Sequence, residues 1–196
     1  MPMPLDAALS RFAAAFAAGS QNVGTLEYRT PGPIVVPIPL GPAVQDYFAR
    51  LRFEKKPMIG GELLLMLFTL DELESAQYGW RWVRDKTGID TENPKWDQHW
   101  IIIADRDGDA IFVDDSTDQG AVWGSIMQRN FKIADDLASF FDMMAEAMTL
   151  EADTFNYEVI DDESNVDQRF LDAMQTMSLR LLGSDGGAGF MKFFFS

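Results

Sequence analysis

Residues 96–115 contain the feature that most constrains the fold of this chain. Two apolar segments, rich in β-branched and aromatic residues, flank a short acidic connection with Asp107, Gly108 and Asp109 at its centre. An Asp-Gly pair between such segments favours a tight turn, because the turn residues adopt positive φ. The run therefore predicts a β-hairpin whose strands lie near residues 98–104 and 109–114.

Neighbouring apolar segments extend this hairpin into a sheet. Residues 62–69 form a near-continuous apolar run, which is typical of a strand buried on both faces. Another apolar segment follows Gly120, at residues 120–127. We therefore expect an α+β fold in a single domain, with a mostly antiparallel sheet of segments 62–69, 98–104, 109–114 and 120–127 and helices packed mainly on one face.

Apolar residues at helical spacing predict the helices. They indicate a helix from Leu5 that ends before Gly19, one that begins at Pro42, and others at residues 70–84, 135–150 (opened by Ile133 and Ala134) and 166–182. Alternation predicts a strand at residues 25–30, and another is possible at 155–160. Prolines around residues 34–36 place any strand there at a sheet edge. The glycine-rich residues 183–189 are interpreted as a flexible tail.

The composition restricts the classes of partner and of chemistry. The chain has 31 acidic and 16 basic residues among 196, a formal net charge of −15, so it repels nucleic acid and favours a basic partner. The absence of cysteine excludes disulfides and thiolate metal sites. No apolar run has the length of about 20 residues that spans a bilayer, and no signal-peptide pattern is visible, so we expect a cytoplasmic protein without a membrane partner.

The order of motifs in the central segment resembles the SUKH superfamily, the Smi/Knr-like domain. The residues that carry the resemblance are Trp96, Trp100, Asp107-Gly108-Asp109, Ile111, Val113-Asp114, Gly120, Val122, Ile133-Ala134 and 137–141. The resemblance covers residues 40–150. Residues 1–39 are then an N-terminal helix and edge-strand extension, and 151–196 a C-terminal helical extension, all in one compact domain.

The resemblance implies a non-enzymatic binding protein. Bacterial SUKH immunity proteins neutralise polymorphic toxins, so the leading hypothesis is direct occlusion of a basic toxin, for example a nuclease. The alternative is a regulatory or scaffold domain, like the family's members related to cell-wall assembly, with no toxin partner. An enzyme of unrecognised type is a third hypothesis. The sequence leaves the partner's identity and the oligomeric state open.

Acidic residues and tryptophans are the predicted partner contacts. Trp80 and Trp82 lie two apart on a predicted helix, so both cannot face inward, and one is expected to be exposed or partly exposed. The carboxylates would face a basic partner, although a solvated loop is the simpler explanation for any single one of them. The predicted contact residues are Asp107, Asp109, Asp114, Asp115, Asp118, Trp80 and Trp82.

Two further patterns point to metal or catalytic chemistry but match it poorly. Asp105, Asp107 and Asp109 have the spacing of the first EF-hand ligands, yet Ser116 stands where that loop needs glutamate. His99 is the only histidine and lies in a predicted strand, so it is interpreted as structural. We therefore predict no metal, no cofactor and no catalytic residues.

Overall fold

A computed structural model of the chain describes residues 3–161, 163 and 165–196. Its α-helices are α1 (Leu5–Ala18), α2 (Pro42–Arg50), α3 (Leu73–Ala76), α4 (Leu137–Thr149) and α5 (Gln168–Phe195). Its strands are β1 (Val23–Tyr28), β2 (Leu51–Ile59), β3 (Leu65–Leu67), β4 (Trp82–Arg84), β5 (Asp90–Glu92), β6 (Trp100–Arg106), β7 (Asp109–Asp114), β8 (Ala121–Ile126) and β9 (Arg129–Ala134).

A seven-stranded antiparallel sheet organises the molecule. The strand order is β1-β2-β3-β6-β7-β8-β9, and β4 and β5 form a separate two-stranded sheet. The α+β class and the antiparallel sheet are therefore confirmed. The sheet is larger than predicted because β1, β2 and β9 also join it. The first of these strands, β1, forms one edge, whereas residues 34–36 lie in irregular structure.

The predicted central hairpin is confirmed as β6 and β7. Trp100 pairs with Asp114 at one end, and Arg106 pairs with Asp109 at the other. The two residues between the strands, Asp107 and Gly108, have φ of 52° and 91°. Positive φ at both positions is the type I′ turn, whose twist matches that of the paired strands.

The strand predicted at residues 62–69 is much shorter than expected. A turn of 3₁₀-helix occupies Gly61–Leu63, and only Leu65–Leu67 is extended. The buried carboxylate of Glu151 accepts a hydrogen bond from the backbone N–H of Glu62 at 2.7 Å and so holds that 3₁₀ turn. A tertiary contact therefore overrides the local strand pattern.

A buried glutamine replaces part of the missing strand beside β6. Gln77 is fully buried, and its side-chain amide donates to the carbonyl of Ile102 at 3.0 Å and accepts from the N–H of Ile102 at 3.0 Å. A primary amide offers the donor and acceptor that a neighbouring strand would offer. The short β3 therefore leaves no unsatisfied backbone group at Ile102.

The helix predicted at residues 70–84 is wrong over most of its length. Helix α3 ends at Ala76, and Gly79 adopts a φ of 87°, which reverses the chain. The following segment forms β4, which pairs with β5. The apolar residues at helical spacing in this segment instead pack on the sheet or within the small hairpin.

The start of the helix at residues 135–150 is also corrected. Ile133 and Ala134 end strand β9, and α4 begins at Leu137 after Asp136, whose carboxylate accepts from the N–H of Ser139 at 2.6 Å. The β8–β9 turn consists of Met127 and Gln128, with φ of 49° and 62°. Neither residue type signals a type I′ turn, which is why the sequence did not predict β9.

The C-terminal extension differs from the prediction in three ways. A π-helical turn at Leu150–Thr154 and an irregular segment replace the strand proposed at 155–160, apart from one bridge between Ile160 and Val166. Helix α5 does not stop near residue 182 but bends at Gly183 and continues to Phe195. The proposed flexible tail is therefore helical. Three of its glycines and three of the phenylalanines that follow it are buried: Gly186, Gly187, Gly189, Phe190, Phe193 and Phe194.

The helices pack on one face of the sheet, as predicted. The buried apolar residues of α1, α2, α4 and α5 belong to one cluster with one face of the strands. Aromatic rings join the helices to one another: Phe141 lies 4.8 Å from Phe12 and 5.1 Å from Tyr47, measured between ring centroids. A smaller cluster around Ile102, Ala110 and Phe112 covers the other face. No helix in the described part of the chain is long and apolar enough to cross a membrane.

Candidate functional site: a tryptophan face and an adjacent cleft

The predicted acidic contacts lie at opposite ends of strand β7. Asp107 lies in the β6–β7 turn and Asp109 begins β7, whereas Asp114 ends β7 and Asp115 and Asp118 follow it. Asp109 and Asp114 are five steps of extended chain apart, a distance of about 17 Å. The structure therefore divides the predicted acidic set into two groups.

The carboxylates at the β6–β7 turn satisfy local backbone donors. Asp105 accepts from the N–H of Gly108 at 3.2 Å, and Asp109 accepts from the N–H of Met127 at 3.1 Å. Asp107 is exposed and Asp109 is half-buried. Within the described residues, no three acidic or histidine side chains are grouped so that they could hold a metal ion.

Asp115 is buried and holds the start of α2, which corrects its prediction as a partner contact. Its side chain accepts hydrogen bonds from the N–H groups of Gly41 and Val44, the latter at 3.2 Å. Helix α2 begins after a glycine, which has no side chain to satisfy these donors. Burial raises the pKa of Asp115, and the two backbone donors oppose that rise. The carboxylate therefore binds backbone groups of the protein itself and does not face a partner.

Neither of the two predicted tryptophan contacts is fully exposed. Trp80 and Trp82 are both half-buried, because the segment is a turn and a strand and not a helix. Trp82 packs against Tyr78, with ring centroids 5.5 Å apart, and beneath the guanidinium of Arg81 at 5.0 Å. Trp80 instead contacts Trp96 at 5.4 Å. Trp82 therefore packs with residues of the small hairpin, whereas Trp80 packs with other tryptophans.

Four of the five tryptophans lie on the sheet face opposite to the helices. They are half-buried and surround the buried Phe112 and its neighbours. Trp96 lies 5.3 Å from Trp100 in an edge-to-face arrangement and 4.9 Å from Phe112, and Trp123 stacks on Phe112 at 6.4 Å. We call this surface the tryptophan face; its members are Trp80, Trp96, Trp100 and Trp123.

Carboxylates border the tryptophan face. Asp114 pairs with Trp100 across the hairpin, and its position along β7 places it on the same side as Phe112. The side chain of Glu92 is exposed, lies 3.9 Å from the guanidinium of Arg81 and lines a groove beside Trp96. The face therefore combines large aromatic surfaces with a negative border.

A cleft of about 340 Å³ adjoins the tryptophan face, and we call it the Arg81 cleft. Arg81 and Gln98 line both this cleft and the groove beside Trp96. Arg81 donates to the carbonyl of Gln98 at 3.2 Å, and its side chain is only 13% exposed. Residues 39–41, His99, Ile101, Asp115 and Ser116 complete the wall.

Two polar side chains of the Arg81 cleft have local partners, whereas Nε of Arg81 is buried without a hydrogen-bond partner among the described residues. The hydroxyl of Ser116 donates to Asp114 at 2.7 Å, and the ring of His99 lies 3.3 Å from the side-chain amide of Gln98. No hydrogen bond joins Ser116 to His99 in the described part of the chain. The arrangement suits recognition by shape and hydrogen bonding.

The sequence prediction missed Arg81, Glu92, Trp96, Trp100 and Trp123 as site residues. The available signal was the Trp-Arg-Trp sequence at 80–82 in an acidic chain, together with the concentration of tryptophan in the middle third. Their convergence depends on strand pairing between distant segments, which that signal does not specify.

No protein-family model, no curated protein and no solved structure matches this chain. The resemblance to the SUKH superfamily therefore stays a prediction from the motifs of residues 96–141.

Proposed function

We propose that this protein is a non-enzymatic binding protein that occludes a basic protein partner, in the manner of the SUKH immunity proteins that its central segment resembles. The observation that carries the proposal is the tryptophan face with its border of carboxylates. Tryptophans supply large, rigid contact areas and are enriched among the residues that dominate binding energy. Four of them pack around the buried Phe112 on one face and form a partly exposed aromatic cluster.

The charge of the protein supports a basic partner. A net charge of −15 attracts a cationic protein over long range and accelerates the encounter. Carboxylates at the border, such as Glu92 and Asp114, then orient the partner over the aromatic surface. A nuclease-type toxin has the required chemistry, because a protein that binds phosphate backbones carries a basic surface.

The test is co-expression with the product of the adjacent gene, scored for rescue of growth and for a complex in size-exclusion chromatography. Formation of the complex should protect the tryptophans from acrylamide quenching, because four of the five lie on the proposed interface. Glu92→Lys should slow association several-fold at low salt, since it reverses a charge beside Trp96.

The matched control is Glu27→Lys, which makes the same change of charge at an exposed position of β1, the edge strand that lies three strands from β6. It should have a much smaller effect on association. A complex that leaves tryptophan quenching unchanged, or that responds equally to both variants, would refute the proposed interface. A complex without any rescue of growth would favour the regulatory or scaffold role.

A further inference from the structure

A second groove lies on the helix face, between the C-terminal end of α4 and α5. Its volume is about 720 Å³. We call it the α4–α5 groove; the side chains that matter for its chemistry are Glu146, Leu150, Asp153, Asp172, Met177 and Arg180.

The floor of the α4–α5 groove is apolar. Met177 is buried, and Leu150 and Ala173 are half-buried. Methionine adapts its shape to different apolar partners because its side chain is unbranched and polarisable. The floor can therefore receive an apolar side chain of a binding partner.

The rim of the groove carries an excess of negative charge. Glu146 is paired with Arg11 at 2.8 Å and lies 3.9 Å from Arg180. Asp153 and Asp172 are exposed, and neither forms an ion pair with a cation in the described residues. Among the described residues, the side chain of Asp172 accepts one hydrogen bond, from the neutral amide of Gln168 at 2.7 Å. Two carboxylates thus face the groove without a cationic partner.

The backbone conformation at the groove is also unusual. Residues Leu150–Thr154 form a π-helical turn, a rare conformation that is frequent at functional sites. The buried side chain of Glu151 is directed away from the groove, to the N–H of Glu62. As a result, Leu150, Asp153 and Thr154 are the members of this turn that line the groove.

We propose that the α4–α5 groove binds a basic amphipathic segment of a protein partner. An apolar side chain of the segment would lie on Leu150 and Met177, and a lysine or arginine would lie between Asp153 and Asp172. The combination of an apolar floor with two unneutralised carboxylates is complementary to a cationic amphipathic helix. Because the groove lies on the helix face, this surface is independent of the tryptophan face.

The test uses a synthetic helical peptide of leucine and lysine with one apolar stripe, titrated into the full-length protein and followed by fluorescence anisotropy. We expect the double variant Asp153→Asn/Asp172→Asn to weaken binding about fivefold, since it removes two charge contacts. The control is Glu27→Gln/Glu74→Gln, which removes the same charge at two exposed positions outside the groove. It should leave the Kd within about twofold of that of the unmodified protein.

A peptide with glutamate in place of lysine should not bind. The emission of the tryptophans should stay unchanged as the cationic peptide binds, because the tryptophan face is on the other side of the sheet. The inference is overturned if the cationic peptide fails to bind, or if both double variants weaken binding equally, which would indicate attraction by net charge alone. It is also overturned if the peptide perturbs the tryptophans while the groove variant has no effect.

Discussion

Asp115 links two segments of the chain at the scale of a single side chain. Asp115 lies 74 residues along the chain from Gly41, whose N–H its carboxylate binds, and only 3% of the residue is exposed. A charged acceptor at a helix N-terminus is favourable because the first N–H groups lack partners within the helix. The residue therefore stabilises the contact between α2 and the end of β7.

We expect Asp115→Ala to lower the free energy of unfolding by about 1–3 kcal/mol, because a buried N–H group and a partly buried one lose their acceptor. Urea denaturation monitored by circular dichroism measures this change. Asp118→Ala, in the exposed part of the same loop, should change stability by no more than about 0.5 kcal/mol. Equal effects of the two substitutions would show that Asp115 does not hold α2.

Glu151 is a second buried carboxylate, and its ionisation couples stability to pH. Burial raises its pKa, whereas the hydrogen bond from the N–H of Glu62 opposes that rise. A carboxyl group whose pKa is higher in the folded than in the unfolded state makes its full contribution to the free energy of unfolding at pH values below the unfolded-state pKa. That contribution is lost as the pH rises through the folded-state pKa.

The stability of the wild-type protein relative to Glu151→Gln should therefore decrease as the pH rises from about 4.3, the ordinary pKa of glutamate, towards neutrality. Urea denaturation of both proteins across this range measures the difference. The Glu27→Gln variant, at an exposed position, provides the baseline. A difference between wild type and Glu151→Gln that is constant with pH, or that grows, would contradict the assignment.

At the scale of elements, two hairpins show what local sequence specifies. The β6–β7 turn uses Asp107 and Gly108, and the β8–β9 turn uses Met127 and Gln128, yet all four residues have positive φ. Glycine adopts this conformation without steric cost, so the first turn is visible in the sequence. The second turn is imposed by the pairing of β8 with β9, which outweighs the unfavourable local conformation.

The C-terminal part of α5 was misread for a related reason. Glycines at residues 183–189 lower helix propensity, which favours a flexible tail when the segment is considered alone. In the folded protein, Gly186 and Gly189 let the helix backbone approach β9 closely. A Cβ atom at Gly189 would overlap the carbonyl oxygen of Lys132, and one at Gly186 would crowd that of Ile133. These glycines therefore allow α5 to pack directly on the backbone of β9.

The two interpretations give opposite expectations for Gly189→Ala. A loose helical tail would gain up to about 1 kcal/mol from alanine. We expect a loss of about 1–3 kcal/mol instead, because the new methyl group displaces α5 from β9. Thermal and urea denaturation measure the change, with Ser184→Ala at an exposed position of the same helix as the control. A stabilised Gly189→Ala variant would disprove the close contact.

At the scale of the whole molecule, the candidate site is a product of topology. The length of β7 separates Asp107 and Asp109 from Asp114, so the acidic residues that are close in sequence are not one surface. The same sheet brings Trp80 together with Trp123, which lie far apart in sequence. The predicted contact set named acidic and aromatic side chains, but it did not specify which of them are neighbours.

The sequence by itself determined the α+β class, the β6–β7 hairpin, the starts of α1 and α2 and the acidic character of the surface. These properties depend either on residues close together in the chain, such as a turn that needs glycine or a helix that begins at proline, or on a sum of charges that does not depend on the fold. Only the tertiary structure decided that Asp115 is buried, that residues 70–84 leave the helix, that β9 completes the sheet and that four tryptophans share a face. Each of these outcomes depends on contacts between distant segments, whose combined energy exceeds the small local preferences that a sequence pattern records.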